Sequence, residues 1–162
     1  MTLPEAVSIR RITESDYDKI IPIINEWWGG RNMADQLPRL FFVHFQSTGF
    51  VMERDDEIIA FLCGFISQAH PQQAYIHFVG VHPKFRMNGF AKNLYNAFFE
   101  EVRRNGCQGV HCLTSPVNKQ SIAFHKSMGF SLKPGNAEED GVPITTGYDG
   151  PGKDRVLFFK RI

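Results

Sequence analysis

Residues 79–104 constrain the fold of this chain more than any other stretch. A strand, residues 74–82, is cut off by Pro83, which has no N–H to continue a ladder. A few residues on, Gly89 opens an amphipathic helix over residues 90–104. Leu94, Ala97, Phe98 and Val102 line one face of it, while Lys92, Glu100, Glu101, Arg103 and Arg104 stay solvated. A strand delivered onto a helix N-terminus aims orphan amide donors and the positive end of the helix dipole at one point, which suits phosphate. Gly89 removes side-chain bulk where a diphosphate would meet the backbone, Arg86 and Lys92 add charge, and Ala91 is small. On physics alone this is an anion loop, or equally an ordinary strand-to-helix connection with a glycine N-cap.

The rest of the chain alternates strand and helix around this unit. Residues 7–12 form a first strand, and Thr13 or Ser15 is placed to cap the helix that carries Tyr17, Ile20, Ile21, Ile24, Trp27 and Trp28. Gly29-Gly30 ends it. Residues 34–46 read as a second helix, with Pro38 tolerable only in its first turn. Residues 50–54 and 58–67, joined around Asp55-Asp56-Glu57, give a hairpin signal. Residues 109–114 form a strand and 118–128 a helix closed by Gly129. A short strand follows at Phe130, then a polar loop over residues 133–153 and a last strand over 155–161. This order predicts an α/β (α+β mixed) fold with a central mixed sheet and helices on both faces.

Bulk properties exclude several classes of function. The chain of 162 residues fits one domain, 1–162, and is 43% hydrophobic and 22% charged, so disorder is not expected. Lys and Arg total 18 against 17 acids, which makes no basic stripe for nucleic acid or an anionic membrane. Cys63, Cys107 and Cys112 lack metal-ligand spacing. His111 and Cys112 are neighbours in a strand and point to opposite faces, so no metal is expected. With no signal peptide and no apolar run long enough to span a bilayer, the expectation is a cytoplasmic protein.

Two segments carry a resemblance. Arg86-Met87-Asn88-Gly89-Phe90-Ala91 resembles the (Arg/Gln)-x-x-Gly-x-(Gly/Ala) signature of the GNAT superfamily of N-acetyltransferases, after the usual Val-x-Pro at the strand end. Asn118 to Phe130, beginning with Asn and leaving through Gly-Phe, is similar to that superfamily's second motif. One helix and one strand lie between them, as in the family, and the likeness runs from the first strand to the last. It implies the GNAT acyl-CoA N-acyltransferase fold with a mostly antiparallel sheet, acetyl-CoA as co-substrate, and an amine of a small molecule or peptide as acceptor.

Residue by residue, the resemblance implies that main-chain amides of Val79, Gly80 and Val81 bind pantetheine and steady the oxyanion. It implies that Arg86, Met87, Asn88, Gly89, Phe90, Ala91 and Lys92 hold the pyrophosphate, and that Asn118 contacts the pantetheine arm. Many members carry a Tyr seven residues after that Asn, as acid for the departing thiolate; this chain has His125. His125 is therefore a candidate acid or a structural histidine, with Tyr95, Tyr75 or solvent as alternatives. His77 sits where some arylalkylamine acetyltransferases carry histidines, and is a candidate base or a satisfied sheet histidine. By strand alternation it shares a face with Tyr75 and Val79.

Acceptor specificity in the superfamily comes from the first helices and the last loop. Trp27, Trp28, Arg31 and Phe42 are candidates on the first side, and Thr146, Tyr148 and Asp149 on the second. The direct-attack reaction needs no catalytic Ser or Cys, which fits the lack of a Gly-x-Ser-x-Gly elbow. The rival reading is an acyl-CoA-binding module of the same fold without turnover. A homodimer through the Phe-rich final strand is a further expectation.

Overall fold

A computed structural model describes residues 3–162. The first strand, β1 (Val7–Arg11), leads into helix α1 (Ser15–Trp27), whose Ile20, Ile24 and Trp27 recur at helical spacing and are buried. Neither Thr13 nor Ser15 caps this helix. Buried Asp16 takes the Thr13 N–H at 2.8 Å and two 2.8 Å bonds from Arg10, which also donates to Glu53 at 2.5 Å. One guanidinium thereby ties β1, α1 and the next strand together.

The second helix expected over residues 34–46 is broken into pieces. A 3-10 turn at Ala34–Gln36 is followed by α2 (Leu40–His44) and another 3-10 turn at Gln46–Thr48. The cause is Pro38. It supplies no N–H, and it pushes Leu37 out of the helical region, to φ −125° and ψ 71°.

The hairpin of β2 (Phe50–Arg54) and β3 (Glu57–Ile66) forms as expected, and is followed by β4 (Gln73–Val81), α3 (Phe90–Arg104), β5 (Gly109–Thr114) and α4 (Lys119–Ser127). The loop expected over residues 133–153 contains a small hairpin. After β6 (Ser131–Leu132), β7 (Ala137–Glu139) and β8 (Val142–Ile144) pair across Asp140-Gly141, and β9 (Val156–Arg161) closes the chain.

Seven strands make one sheet in the order β1-β2-β3-β4-β5-β9-β6. It is mixed and mostly antiparallel, with helices on both faces, as the sequence predicted. On the α3 and α4 side the core is built from Leu94, Phe98, Val102, Val110, Ile122 and Phe158. On the α1 and α2 side it is built from Ile20, Ile24, Trp27, Phe42, Phe61 and Phe78. Among the described residues no helix is long and apolar enough to cross a membrane.

Two irregularities of β4 open the sheet at its centre. The pairing of β4 with β5 is the sheet's parallel step, and it runs from Gln73↔Gly109 to Tyr75↔His111 and stops. Beyond that point β5 follows β9 while β4 stays with β3, so the two strands part. Against β3, Phe78 pairs with Cys63 but Ile76 with Gly64, leaving His77 as the extra residue of a bulge.

Candidate active site

The bulge changes which side chains share a face. Strict alternation would put Tyr75, His77 and Val79 together. With one residue inserted, Tyr75 and His77 face the α2 side, whereas Val79 and Val81 pack on the α3 core. The expectation that His77 and Val79 share a face is therefore corrected: they flank the strand from opposite sides at the point where the sheet opens.

The open edge of β4 carries unpaired main-chain groups. The His82 N–H donates to the Ile59 carbonyl of β3 at 2.8 Å. Alternate residues of a strand point their amides the same way, so the amides of Val79 and Val81 face the gap, whereas that of Gly80, expected to serve with them, turns to β3 opposite Phe61. No strand fills that side of β4 beyond Tyr75. The gap thus offers ladder donors to a ligand with its own amides, while the Val79 and Val81 side chains serve the core.

At the far end of the gap lies the loop before α3. Met87 and Gly89 adopt positive φ, 67° and 76°, and the helix's own bonding begins with Asn93 N–H to Gly89 O at 3.0 Å. The amides of Gly89, Phe90, Ala91 and Lys92 have no acceptor among the described residues. This is the donor cluster and positive dipole end that a diphosphate requires.

Two polar side chains of this loop are occupied in building it. The Arg86 guanidinium donates to the Trp27 carbonyl at the end of α1 and to the Val81 carbonyl at 3.2 Å. Asn88 donates from its amide to the carbonyls of Phe85 and Arg86 at 3.0 and 3.1 Å. Arg86 and Asn88 therefore shape the loop, while the exposed ammonium of Lys92 stands at its rim. Asn118 caps α4, its side-chain oxygen accepting the Ser121 N–H at 3.1 Å.

His125 is buried among Phe124, Phe130 and Phe158, stacked on the last at 4.7 Å. Its Nδ1–H donates to the Ser121 carbonyl at 2.7 Å, and its Nε2 accepts from the Tyr95 hydroxyl at 2.8 Å. Burial holds its pKa below the ordinary value, against the pull of the Ser121 carbonyl. A neutral ring with both nitrogens engaged is poorly placed to donate a proton, and the geometry reads as a structural pair. Burial likewise raises the Tyr95 phenol well above its ordinary range.

His77 has a different setting. Its ring stacks on Phe41, centroids 4.2 Å apart and planes within 2°, and its Nε2–H donates to the Gln36 carbonyl at 2.6 Å. Its Nδ1 has no partner among the described residues. Burial lowers its pKa, partly countered by the Gln36 carbonyl and Asp149. The ring is thus held in one tautomer with one basic nitrogen free. Nearby Tyr75 stacks on Phe65, and burial, with Tyr148, Cys112 and Asp149, pushes its phenol up, so it stays a protonated donor.

The acceptor side differs from expectation on the first helices. Trp27 is a core residue packed on Phe61 and His82, and Phe42 is fully buried. Both were candidates by position, and both are withdrawn into the core because they fall on the inward stripe of their helices. Trp28 packs edge-on to Phe78 at 5.2 Å, close to the open strand, and Arg31 is exposed. Tyr148 is half-exposed beside a small cleft of about 30 Å³, whose walls also include Tyr75, His111, Leu113, Lys133 and Leu157. Asp149 is held by Arg155 at 2.7 Å. Phe41, Gln36 and Lys133 were not foreseen: a stacking partner, a carbonyl acceptor and a loop lysine leave no local pattern.

Known proteins share this architecture. A profile of the acetyltransferase (GNAT) family matches residues 9–130. An uncharacterised N-acetyltransferase of Methanocaldococcus jannaschii is 26% identical over 143 residues, which span 81% of this chain and 63% of that protein. The chain thus matches less than two thirds of that relative's length. Among solved structures, Ard1 from Thermoplasma volcanium superposes with a TM-score of 0.76 at 18% identity, over 97% of this chain and 98% of its own. Diaminobutyrate acetyltransferase EctA from Paenibacillus lautus, solved with L-2,4-diaminobutyric acid and coenzyme A, gives 0.69 at 19% identity over 94% and 93%. At these identities the two structures speak for the fold.

Proposed function

The chain belongs to the acetyltransferase (GNAT) family, and on that premise we propose that it is an acetyl-CoA-dependent N-acetyltransferase acting on a primary amine by direct attack. The observation that carries this reading is the parted β4 and β5, whose free amides lead to the unpaired N-terminal amides of α3. An extended ligand with an amide-bearing arm and a diphosphate matches that run of donors, as coenzyme A does. Acetyl-CoA, when bound, supplies the acetyl group as an activated thioester.

The residues of this chain then have separable tasks. Amides of Val79 and Val81 bind the arm and stand ready for negative charge on the reacting carbonyl oxygen. The turn from Met87 to Lys92, braced by Arg86 and Asn88, receives the diphosphate. The attacking nitrogen must be neutral. Nδ1 of His77 takes its proton, directly or through a water, because burial keeps that ring unprotonated at neutral pH. Solvent protonates the departing thiolate, since His125 has no free N–H to give. The engagement of His125 also favours a second reading, a CoA-binding module without turnover.

A thermal melt with acetyl-CoA, CoA or ATP, together with an assay of CoA release with primary amines, tests both. Ligand at 100 times its Kd is expected to raise Tm by about 5–10 °C in a chain of this size. Shifts with both CoA species but not ATP, and CoA release with an amine, support the transferase. Shifts without release from any amine favour the binding module, and no shift sinks both.

A further inference from the structure

We infer that the acceptor amine carries a carboxylate, which seats on Lys133 between the hydroxyls of Tyr75 and Tyr148. This rests on the transferase reading and names the class of amine that the same site takes.

Lys133 comes directly after β6, and its own N–H donates to the Leu157 carbonyl of β9 at 2.8 Å, so its backbone is fixed to the sheet. Its side chain enters the wall of the cleft that Tyr75 and Tyr148 also line. Its ammonium makes no ion pair or hydrogen bond among the described residues, so it is uncommitted at the cleft wall. No Asp or Glu lines the cleft, and the nearby carboxylate of Asp149 is committed to Arg155.

The polar groups around the cleft are therefore donors in excess. The Tyr75 phenol stays protonated, and His111 donates its Nε2–H to the side-chain oxygen of Gln73 at 2.9 Å, which leaves its Nδ1 as the one ring acceptor against Lys133 and two phenols. A cleft lined by one lysine and two phenols calls for a group with acceptors and a negative charge, and it has room for a few atoms. A carboxylate meets both conditions.

Position sets the rest of the acceptor. Tyr75 and His77 lie on one side of β4, two residues apart, which is about 6–7 Å along a strand. An amine at the free Nδ1 of His77 and a carboxylate beside Tyr75 belong to one small molecule, with a few bonds between them. The class is an aminocarboxylate acetylated on the amine remote from its carboxylate.

The test uses amine pairs that differ by that one group: ornithine against putrescine, lysine against cadaverine, and 4-aminobutyrate against n-propylamine. Their affinity for the CoA-saturated protein is measured by calorimetry, and CoA release is monitored with acetyl-CoA. The carboxylated member of at least one pair is expected to bind about tenfold tighter or better, the scale of a charge-assisted bond. K133M is expected to bring that ratio close to one, and K133R to restore it; melts of both variants establish that they are folded. A ratio near one in the native protein, no binding by any member, or a ratio that survives K133M overturns the inference. Selective binding without CoA release sinks the transferase reading and leaves the carboxylate seat standing. Release from either kind of amine without selectivity sinks the seat alone.

Discussion

The pair Tyr95–His125 shows how much a single residue's meaning depends on a partner distant in the chain. His125 occupies the position where the family signature leads one to expect a proton donor, and the spacing from Asn118 makes that position readable in the sequence. Its partner stands 30 residues earlier on another helix, and the aromatic cage around the two is made by Phe99 of α3, Phe124 of α4, Phe130 and Phe158 of β9. Replacing one member strands the other's polar atom in a buried site. H125F is therefore expected to lose about 1–3 kcal/mol of folding stability, and the double variant Y95F/H125F less than the sum of the two singles. Urea denaturation of the three variants checks this, and full additivity would dissolve the pair.

At the scale of elements, the bulge in β4 decides the site, and Gly64 of β3 makes the bulge possible. A Cβ on Gly64 would come within 2.6 Å of the Phe98 ring and 2.7 Å of the Tyr75 carbonyl oxygen. A backbone atom cannot swing aside as a flexible side chain can, so G64A must move the Tyr75–His77 stretch. The expected cost is about 1–3 kcal/mol of stability, with a larger loss of acetyl transfer than of the CoA-induced melting shift. Denaturation and melts with CoA measure the two effects, and a native-like G64A would show that the bulge tolerates displacement. The helices and strands were largely legible because their apolar periods are long and clean. The misread pieces have identifiable causes. Pro38 breaks a segment whose apolar spacing reads as helix, and the β7–β8 hairpin hides in polar residues, although Asp140-Gly141, with φ of 52° and 79°, is a hairpin-turn signal.

For the whole molecule, burial of histidines couples stability to pH. His77, His111 and His125 all have pKa values held below the ordinary 6.5, chiefly by burial. In the unfolded chain they protonate near pH 6.5; in the folded chain they resist. The unfolded state therefore binds more protons below that pH, and stability falls as pH drops from about 7 toward 5, by at most about 1.4 kcal/mol per pH unit for each histidine. Asp16 and Glu101 act lower on the scale. The Arg10 and Thr13 bonds to Asp16 outweigh its burial, and the Arg104 and Arg11 bonds depress Glu101, so their contribution fades only as pH falls through the carboxylate range. Denaturation midpoints at pH 7.5, 6.5 and 5.5 are expected to decline in that order; a flat series would contradict the histidine assignment.

Local order is what the sequence by itself determined: the strand cut by Pro83, the glycine at the mouth of α3, the apolar stripe of that helix and the spacing of the second motif. These are relations among residues a few positions apart, governed by helix and strand periods and by the backbone limits of Gly and Pro. They sufficed for the family and for the fold. Only the tertiary structure decided that β4 and β5 part after Tyr75, that a one-residue bulge turns His77 away from Val79, and that Lys133 meets Tyr75 and Tyr148 in one cleft. Each of these depends on register between strands far apart in the chain. Alternation along a strand carries no record of where its partner inserts or leaves out a residue.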